Sequence, residues 1–319
     1  MQPSLPAGVA VDRSRGIPQI RRARSRMIFA ALACLAAQPA FGAETLRWKF
    51  KPGETLKYTM VQETTQGIKA GGQDLSTNLN QTVDLHWNIK SVSPEGVADM
   101  SQTIDRVRTK VDSPLGGAFE FDSQAEQAPE GPIAGILVPL LKGLVGAEFT
   151  FKMNGMGELT EVKVPQKLLD SLKNAGPAAN AGGMFSEEGL KNLISQSSLS
   201  LPEAALEPGK SWDQKSRLAM PMIGTMVMDK TYTYQGPAGG GAGVHKIELK
   251  TKVNLEPAAD SNVAVKITSQ EGKGEFSFDP QAGRVVKSRI DDQMQMSLSV
   301  QGQNIEQTTK TVTTMELKK

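Results

Sequence analysis

Two aspartates stand in the same surroundings: Asp122 in FEFDSQ, residues 119–124, and Asp279 in FSFDPQ, residues 276–281. Paired carboxylates are the minimum equipment of a glycoside hydrolase, and acid and nucleophile need not be neighbours in sequence. Asp122 and Asp279 are therefore the first candidates for hydrolytic chemistry. A second chemistry is written in methionine. MPMIGTMVMD sets Met220, Met222, Met226 and Met228 on one parity, so a single strand would show four thioethers along one face, and QMQM adds Met294 and Met296. Thioethers are soft ligands suited to Cu(I). The competing reading is that methionine fills irregular apolar surface, which one face of a half-buried strand must have anyway.

Other chemistry is scarce. His86 lies on the polar parity of VDLHWNI and reads as a solvated surface residue; His245 shares parity with Ile247 and Leu249 and is expected to be partly buried. Neither stands beside an acid or a serine in a recognised pattern. No G-x-S-x-G, phosphate-binding loop, G-x-G-x-x-G or H-E-x-x-H occurs, so serine-hydrolase, nucleotide and zinc-protease chemistry lack their motifs. Three Trp and three Tyr offer few flat rings for a sugar. The balance favours a non-enzymatic binding or structural module. No catalytic, cofactor-binding or metal residue is assigned, and no cofactor is expected.

The elements that must position these residues begin with a leader. Arg21, Arg22, Arg24 and Arg26 precede an apolar run from Met27 to Ala37, and Ala40 and Gly42 are small residues of the kind a signal peptidase reads. We read residues 1–42 as a signal peptide, cleaved before Ala43, and expect an exported protein, periplasmic or secreted. Acylation at Cys34, the one cysteine, is the minor alternative. The apolar run falls short of the about 20 residues a spanning helix needs. Removing the leader's six arginines and one aspartate from 36 basic and 34 acidic residues leaves a net charge near −3. A chain with that balance and no basic block has no footprint for nucleic acid. Without Cys34 it has no thiol for a disulfide or a nucleophile.

Beyond the leader, alternation dominates. In VDLHWNI, Val83, Leu85, Trp87 and Ile89 share one parity, and LRWKFK, YTYQ, KIELKTKV, VAVKIT and KTVTTMEL read as strands in the same way. The turns KPGE, SPEG, NGMG and QAG are short enough for hairpins, which argues antiparallel pairing. Helical spacing is confined to the middle: an apolar helix over 132–146, interrupted by Pro139, then PQKLLDSLKN and SEEGLKNLIS, the last opening on Ser186 as a cap. The predicted fold is mainly β, two related curved antiparallel lobes at 43–163 and 201–319, with a helical connector at 164–200. Relatedness rests on order: KPGET (51–55) returns as EPGKS (207–211) at an offset of 156, and F-x-F-D returns at 157. FTFKMN (149–154) keeps the phenylalanines and drops the aspartate. A curved sheet beneath a loose apolar helix would hold a lipid-like ligand between them.

LPEAALEPGKSW (201–212), FDPQAGRV (278–285) and LRWKFKPGETLKY (46–58) together resemble an uncharacterised family of exported bacterial β-rich proteins, a domain of unknown function. The resemblance implies export and sheet architecture. It implies no activity, cofactor or catalytic residue.

Overall fold

The computed structural model describes residues 42–319 apart from 115–116, 175–185, 196–197, 221–223, 239–242, 259–262 and 301–302. The leader, with Cys34, lies outside the described residues except for Gly42, as does Met222. Among the described residues twelve strands form: β1 (Thr55–Ala70), β2 (Gln73–Val92), β3 (Ala98–Ser113), β4 (Gly117–Asp122), β5 (Glu148–Met153), β6 (Leu159–Lys163), β7 (Ser211–Met220), β8 (Gly224–Pro237), β9 (His245–Pro257), β10 (Val263–Asp279), β11 (Arg284–Val300) and β12 (Gln303–Leu317). Three helices, α1 (Pro132–Leu144), α2 (Gln166–Asn174) and α3 (Glu187–Ser195), fall between β4 and β7.

The strands make one curved antiparallel sheet, ordered β6-β5-β3-β2-β1-β12-β11-β10-β9-β8-β7, with β4 also paired to β3. The mainly β class read from alternation is what the chain adopts. The two sets of hairpins are not separate sheets: β1 pairs with β12 from Tyr58–Leu317 through Ala70–Ile305. Each set starts at the same corner. Gly53 N–H donates to Ile89 O and Ile89 N–H to Glu54 O; likewise Gly209 N–H donates to Tyr234 O and Tyr234 N–H to Lys210 O. A Pro-Gly turn with Gly at φ +79 in one case and +88 in the other supplies both corners.

One predicted strand is not a strand. LRWKFK lies across the end of the sheet and alternates because Leu46 and Trp48 are buried in the core, not because it joins a ladder. Trp48 N–H donates to Gly155 O at 2.8 Å, Lys49 N–H to Gly283 O at 2.9 Å, and the Trp48 indole Nε1–H to Leu199 O at 3.0 Å. The Trp48 ring sits 6.0 Å from Trp87 of β2 and 5.8 Å from Phe278 of β10. Those strands are four places apart in the sheet, so the sheet must curl around Trp48 for both contacts to form. Phe119, Phe121, Phe149, Phe151, Phe276 and Phe278, the six rings of the F-x-F strand ends, are all buried, five of them in this core and Phe149 in a second cluster with Leu168, Leu172 and Leu190.

The apolar helix is shorter than expected, ending at Leu144 where Val145 turns extended. Its Ala134 and Leu141 are buried in the main core against β3 and β4. Gly143 has a packing role: a Cβ there would lie 2.6 Å from the Ser171 Cβ of α2, so the glycine lets the two helices approach. Ser186 caps α3 as predicted, its Oγ accepting from Gly189 N–H at 3.0 Å.

Candidate binding site

The inner face of the sheet, the one carrying the core, continues well past the part that Trp48 plugs. Ladder register aligns its side chains in rows across the strands. One row runs Gln214, Lys230, Thr251, Gly272, Asp292, Thr311 and Thr64 from β7 to β1, every member polar or glycine. Within it Thr64 and Thr311 bond at 3.1 Å. On the plugged side of this row the inner residues are core: Tyr234, Ile247 and Phe276, then Tyr232 and Leu249. On the other side apolar character returns with Met228, Val253 and Met294, then Met226, Leu255, Ile267 and Met296, then Val265, Leu298 and Ile305. All of these are half-buried, while Lys252, Asn254, Glu256 and Lys266 on the outer face are exposed. The period-2 pattern predicted for these strands is thus present, but its apolar side stays partly open.

Lys230 and Asp292 are the charges on the inner face of this row. Burial lowers the Lys230 ammonium from its ordinary value against the pull of Asp292, and burial raises Asp292 against the pull of Lys230. Asp292 is hemmed by neighbours yet keeps a solvent-exposed side, so its raised value reflects its surroundings and not full burial. Gly272 makes room between them. A Cβ at that position would lie 2.6 Å from Asp292 Oδ1 and 2.9 Å from Thr251 Cβ.

The methionine ladder expected along one strand is divided between two, and its Met222 lies outside the described residues. Met220 ends β7 and Gly224 begins β8, and the two strands pair antiparallel from Met220–Gly224 onward, so the run is split between two strands. Met226 and Met228 share the inner face of β8, and Met294 and Met296 that of β11, with β9 and β10 between. The single-strand ladder on which a Cu(I) site would rest is therefore divided. Among the described residues no group of three His, Cys, Asp or Glu is placed to hold a metal.

Asp122 and Asp279 are each engaged at a turn. Arg106 grips Asp122 with two bonds, Nε to Oδ1 at 3.0 Å and Nη2 to Oδ2 at 2.5 Å, and Gln124 N–H donates to Oδ1 at 3.0 Å. The Arg106 bonds, first among the causes, hold the Asp122 carboxyl down at about 2. Asp279 Oδ1 accepts from Gln281 N–H at 2.9 Å and Ala282 N–H at 2.8 Å. Asn154 does the same after the third F-x-F, accepting from Met156 and Glu158 N–H. Each F-x-F is a strand end followed by a side-chain-capped turn, the cap being the aspartate next to it in two cases and Asn154, three residues beyond Phe151, in the third.

Both histidines lie beside acids far from them in sequence. His86 Nδ1 lies 2.8 Å from Asp105 on β3, leaving the ring 21% exposed where full solvation was expected. His245, expected to be partly buried, is 4% exposed, with Tyr234 Oη at 2.6 Å and Glu44 at 3.3 Å from its Nδ1. Their partners come from other strands and from the N-terminal segment, out of reach of any local pattern.

The chain is a β-rich protein built on one curved, open antiparallel sheet, with a polar row across a partly exposed apolar inner face. The chain belongs to a family of unknown function, DUF6263, whose match covers residues 95–314. LPEAALEPGKSW and FDPQAGRV fall within that span, while LRWKFKPGETLKY precedes it. No curated protein matches the chain significantly. Among solved structures it is similar to a lipovitellin structure described as showing lipid-protein interactions, with 13% identity and a TM-score of 0.47 over 85% of this chain. The chain spans about a quarter, 26%, of the length of that protein.

Proposed function

We propose that the protein is an exported, non-enzymatic binding module that takes an apolar, lipid-like ligand on the open end of its inner face. One observation carries the reading: beyond the Lys230–Asp292 row, half-exposed aliphatic and methionine side chains continue across five strands, β8 to β12, with no described helix over them. Contiguous apolar surface of that kind marks a ligand or interaction site. Methionine suits an imprecise ligand, because its unbranched thioether repacks around varied shapes. The ligand lies on the sheet's open end and not under α1, whose Ala134 and Leu141 fill the core directly.

A hydrolytic reading has less support. Asp122 and Asp279 hold turns, and after FTF, where Lys152 stands in place of the aspartate, the turn is capped by Asn154 two residues further on, without a carboxylate. No helix among the described residues is long and apolar enough to cross a membrane. We read the two hairpin sets as tandem copies, supported by the matched Pro-Gly corners. Export rests on the Arg-rich, apolar leader, and an N-terminus at Ala43 in the recovered protein is the expected result.

Native mass spectrometry of the purified protein, with solvent extraction of whatever it carries, tests the main reading. A pyrene-labelled alkyl chain serves as the probe for empty protein. Met296→Lys and Leu298→Lys are expected to weaken probe binding at least tenfold while the fold persists. A protein that carries no extractable lipid and ignores the alkyl probe overturns the proposal.

A further inference from the structure

The ladder between β9 and β10 stops early. Pairs run from His245–Phe278 to Thr251–Gly272; beyond them residues 252–257 pair only with β8 and residues 263–271 only with β11. The hairpin opens into a fork. On its first rung stands the Gln270 side-chain amide, its Nε2 donating to Thr251 O at 2.9 Å and its Oε1 accepting from Val253 N–H at 3.2 Å. An amide bonded in this way does what a peptide group of a neighbouring strand does, offering one donor and one acceptor. The main-chain groups of Thr251 and Val253 face the fork, and by alternation so do those of Leu255, while Lys252, Asn254 and Glu256 turn theirs to β8. Beyond the Gln270 rung neither a ladder pair nor a described side-chain bond continues along the β9 arm.

The two faces of the fork differ. On the inner face the arms carry Val253 and Leu255 on one side, Ile267 and Val265 on the other, all half-buried. On the outer face they carry lysines. Lys250 stands directly opposite Lys273 just before the ladder ends, and Lys252 and Lys266 lie on the two arms beyond it, all of them exposed. The nearby acids are already engaged: Asp229 with Lys215 at 3.2 Å, Glu271 with Lys273 at 3.4 Å, and Glu256 with Arg217. Lys250, Lys252 and Lys266 make no ion pair among the described residues. Like charges opposite one another destabilise a sheet, and an anion beside them relieves that cost.

We propose that the fork between β9 and β10 is a strand-addition site for a polypeptide, and that its occupant is an extended segment in which apolar residues alternate with acidic ones. The segment runs along the β9 arm, bonding through its main chain to Val253 and Leu255 and displacing the Gln270 amide from its rung. Its apolar residues join Val253, Leu255 and Ile267 on the inner face, and its carboxylates meet Lys250, Lys252 and Lys266 on the outer one. Alternation in the partner follows from alternation in the arm, because paired strands place like-facing residues side by side. The site goes beyond the apolar-ligand reading: main-chain groups and outer-face lysines define it, and neither holds an alkyl chain.

Fluorescence anisotropy with a labelled peptide of alternating valine and glutamate, titrated with the purified protein at neutral pH, tests the assignment. The peptide is expected to bind and to slow hydrogen exchange at the Leu255 amide. A copy N-methylated at alternate residues keeps every side chain but loses the donors on one edge, and is expected to bind at least tenfold more weakly. A valine–lysine peptide should be weaker by a similar factor, and the Lys252→Glu, Lys266→Glu double variant, with an unchanged Tm to show that it is folded, should reverse that order. Gln270→Ala should bind the valine–glutamate peptide more tightly, since the rung is vacant. Absence of binding, equal binding of the N-methylated copy, or a charge order that the double variant fails to reverse overturns the strand-addition site. Binding of the pyrene-alkyl probe is expected to be unaffected by Lys252→Glu and Lys266→Glu, so the two readings fail separately.

Discussion

Arg284 and Glu54 face each other in a two-pronged ion pair, Nη1 to Oε1 at 2.8 Å and Nη2 to Oε2 at 3.0 Å. It ties the β10–β11 hairpin to the corner before β1, beside the bond from Tyr58 Oη to Val285 O. Arg284 is 6% exposed, so Arg284→Ala would strand Glu54 opposite a buried gap. Glu54 still reaches water, which places the cost near the low end for a broken buried pair, about 3 kcal/mol. Urea unfolding measures it. Arg284→Lys should recover only part, because an ammonium cannot make both bonds in one plane.

Gly157 sits where the Trp48 indole crosses the β5–β6 turn. Its φ is +87, and a Cβ there would lie 2.6 Å from Trp48 Nε1 and closer still to Leu199 O, the two partners of one hydrogen bond. Gly157→Ala is expected to prise the indole from Leu199 and to cost about 2–3 kcal/mol in strain and overpacking. A red-shifted tryptophan emission together with a lower Tm checks this. An unchanged emission spectrum would mean that Trp48 does not plug the sheet as described.

Asp122 gives a pH prediction with a definite sign. Its carboxyl is held at about 2, below its ordinary 3.8, first by the Arg106 bonds and then by Gln124 N–H. A depressed folded value means the turn's stabilisation is complete above 3.8 and is lost as pH falls toward 2. Carboxyl-carbon NMR should show a midpoint near 2 in the native protein. Arg106→Gln should move it upward.

The three tyrosines, Tyr58, Tyr232 and Tyr234, are all pushed above the ordinary phenol value, chiefly by burial. Tyr234 is the lowest, at about 12, where the Glu44 charge and its bond to the phenol add to burial. Raised folded values make alkaline unfolding the expected sign: their contribution is intact below pH 10 and is lost as pH rises through about 12. Phenolate absorbance should therefore stay flat through the ordinary range, and Glu44→Gln should bring the first midpoint down.

Strand residues were legible because alternation is local. VDLHWNI buries Val83, Leu85, Trp87 and Ile89 in the order its parity gives. LRWKFK shows the limit, since the same parity arises wherever an extended segment has one dry side, whether or not a ladder forms. The methionine run failed for a related reason. Parity counted across Pro221 treats two strands as one. Site chemistry was less legible, because His86 with Asp105, His245 with Glu44 and Lys230 with Asp292 each join separate elements. One signal was available: two glycines, Gly272 and Gly274, interrupt an otherwise continuous strand pattern, which is where close approach is expected.

The seam between β1 and β12 has a kinetic meaning. The first and last strands of the sheet meet at its centre, so the long-range pairing that joins the halves cannot form until nearly the whole described chain is present. Loop closure over such a span adds little to the equilibrium cost, about 0.6 kcal/mol per doubling of length, but high contact order slows the folding rate. Until β12 arrives, β1 offers an unpaired edge to any other strand. Truncation before β12 should therefore yield a chain that self-associates through that edge, while the complete chain closes it upon itself.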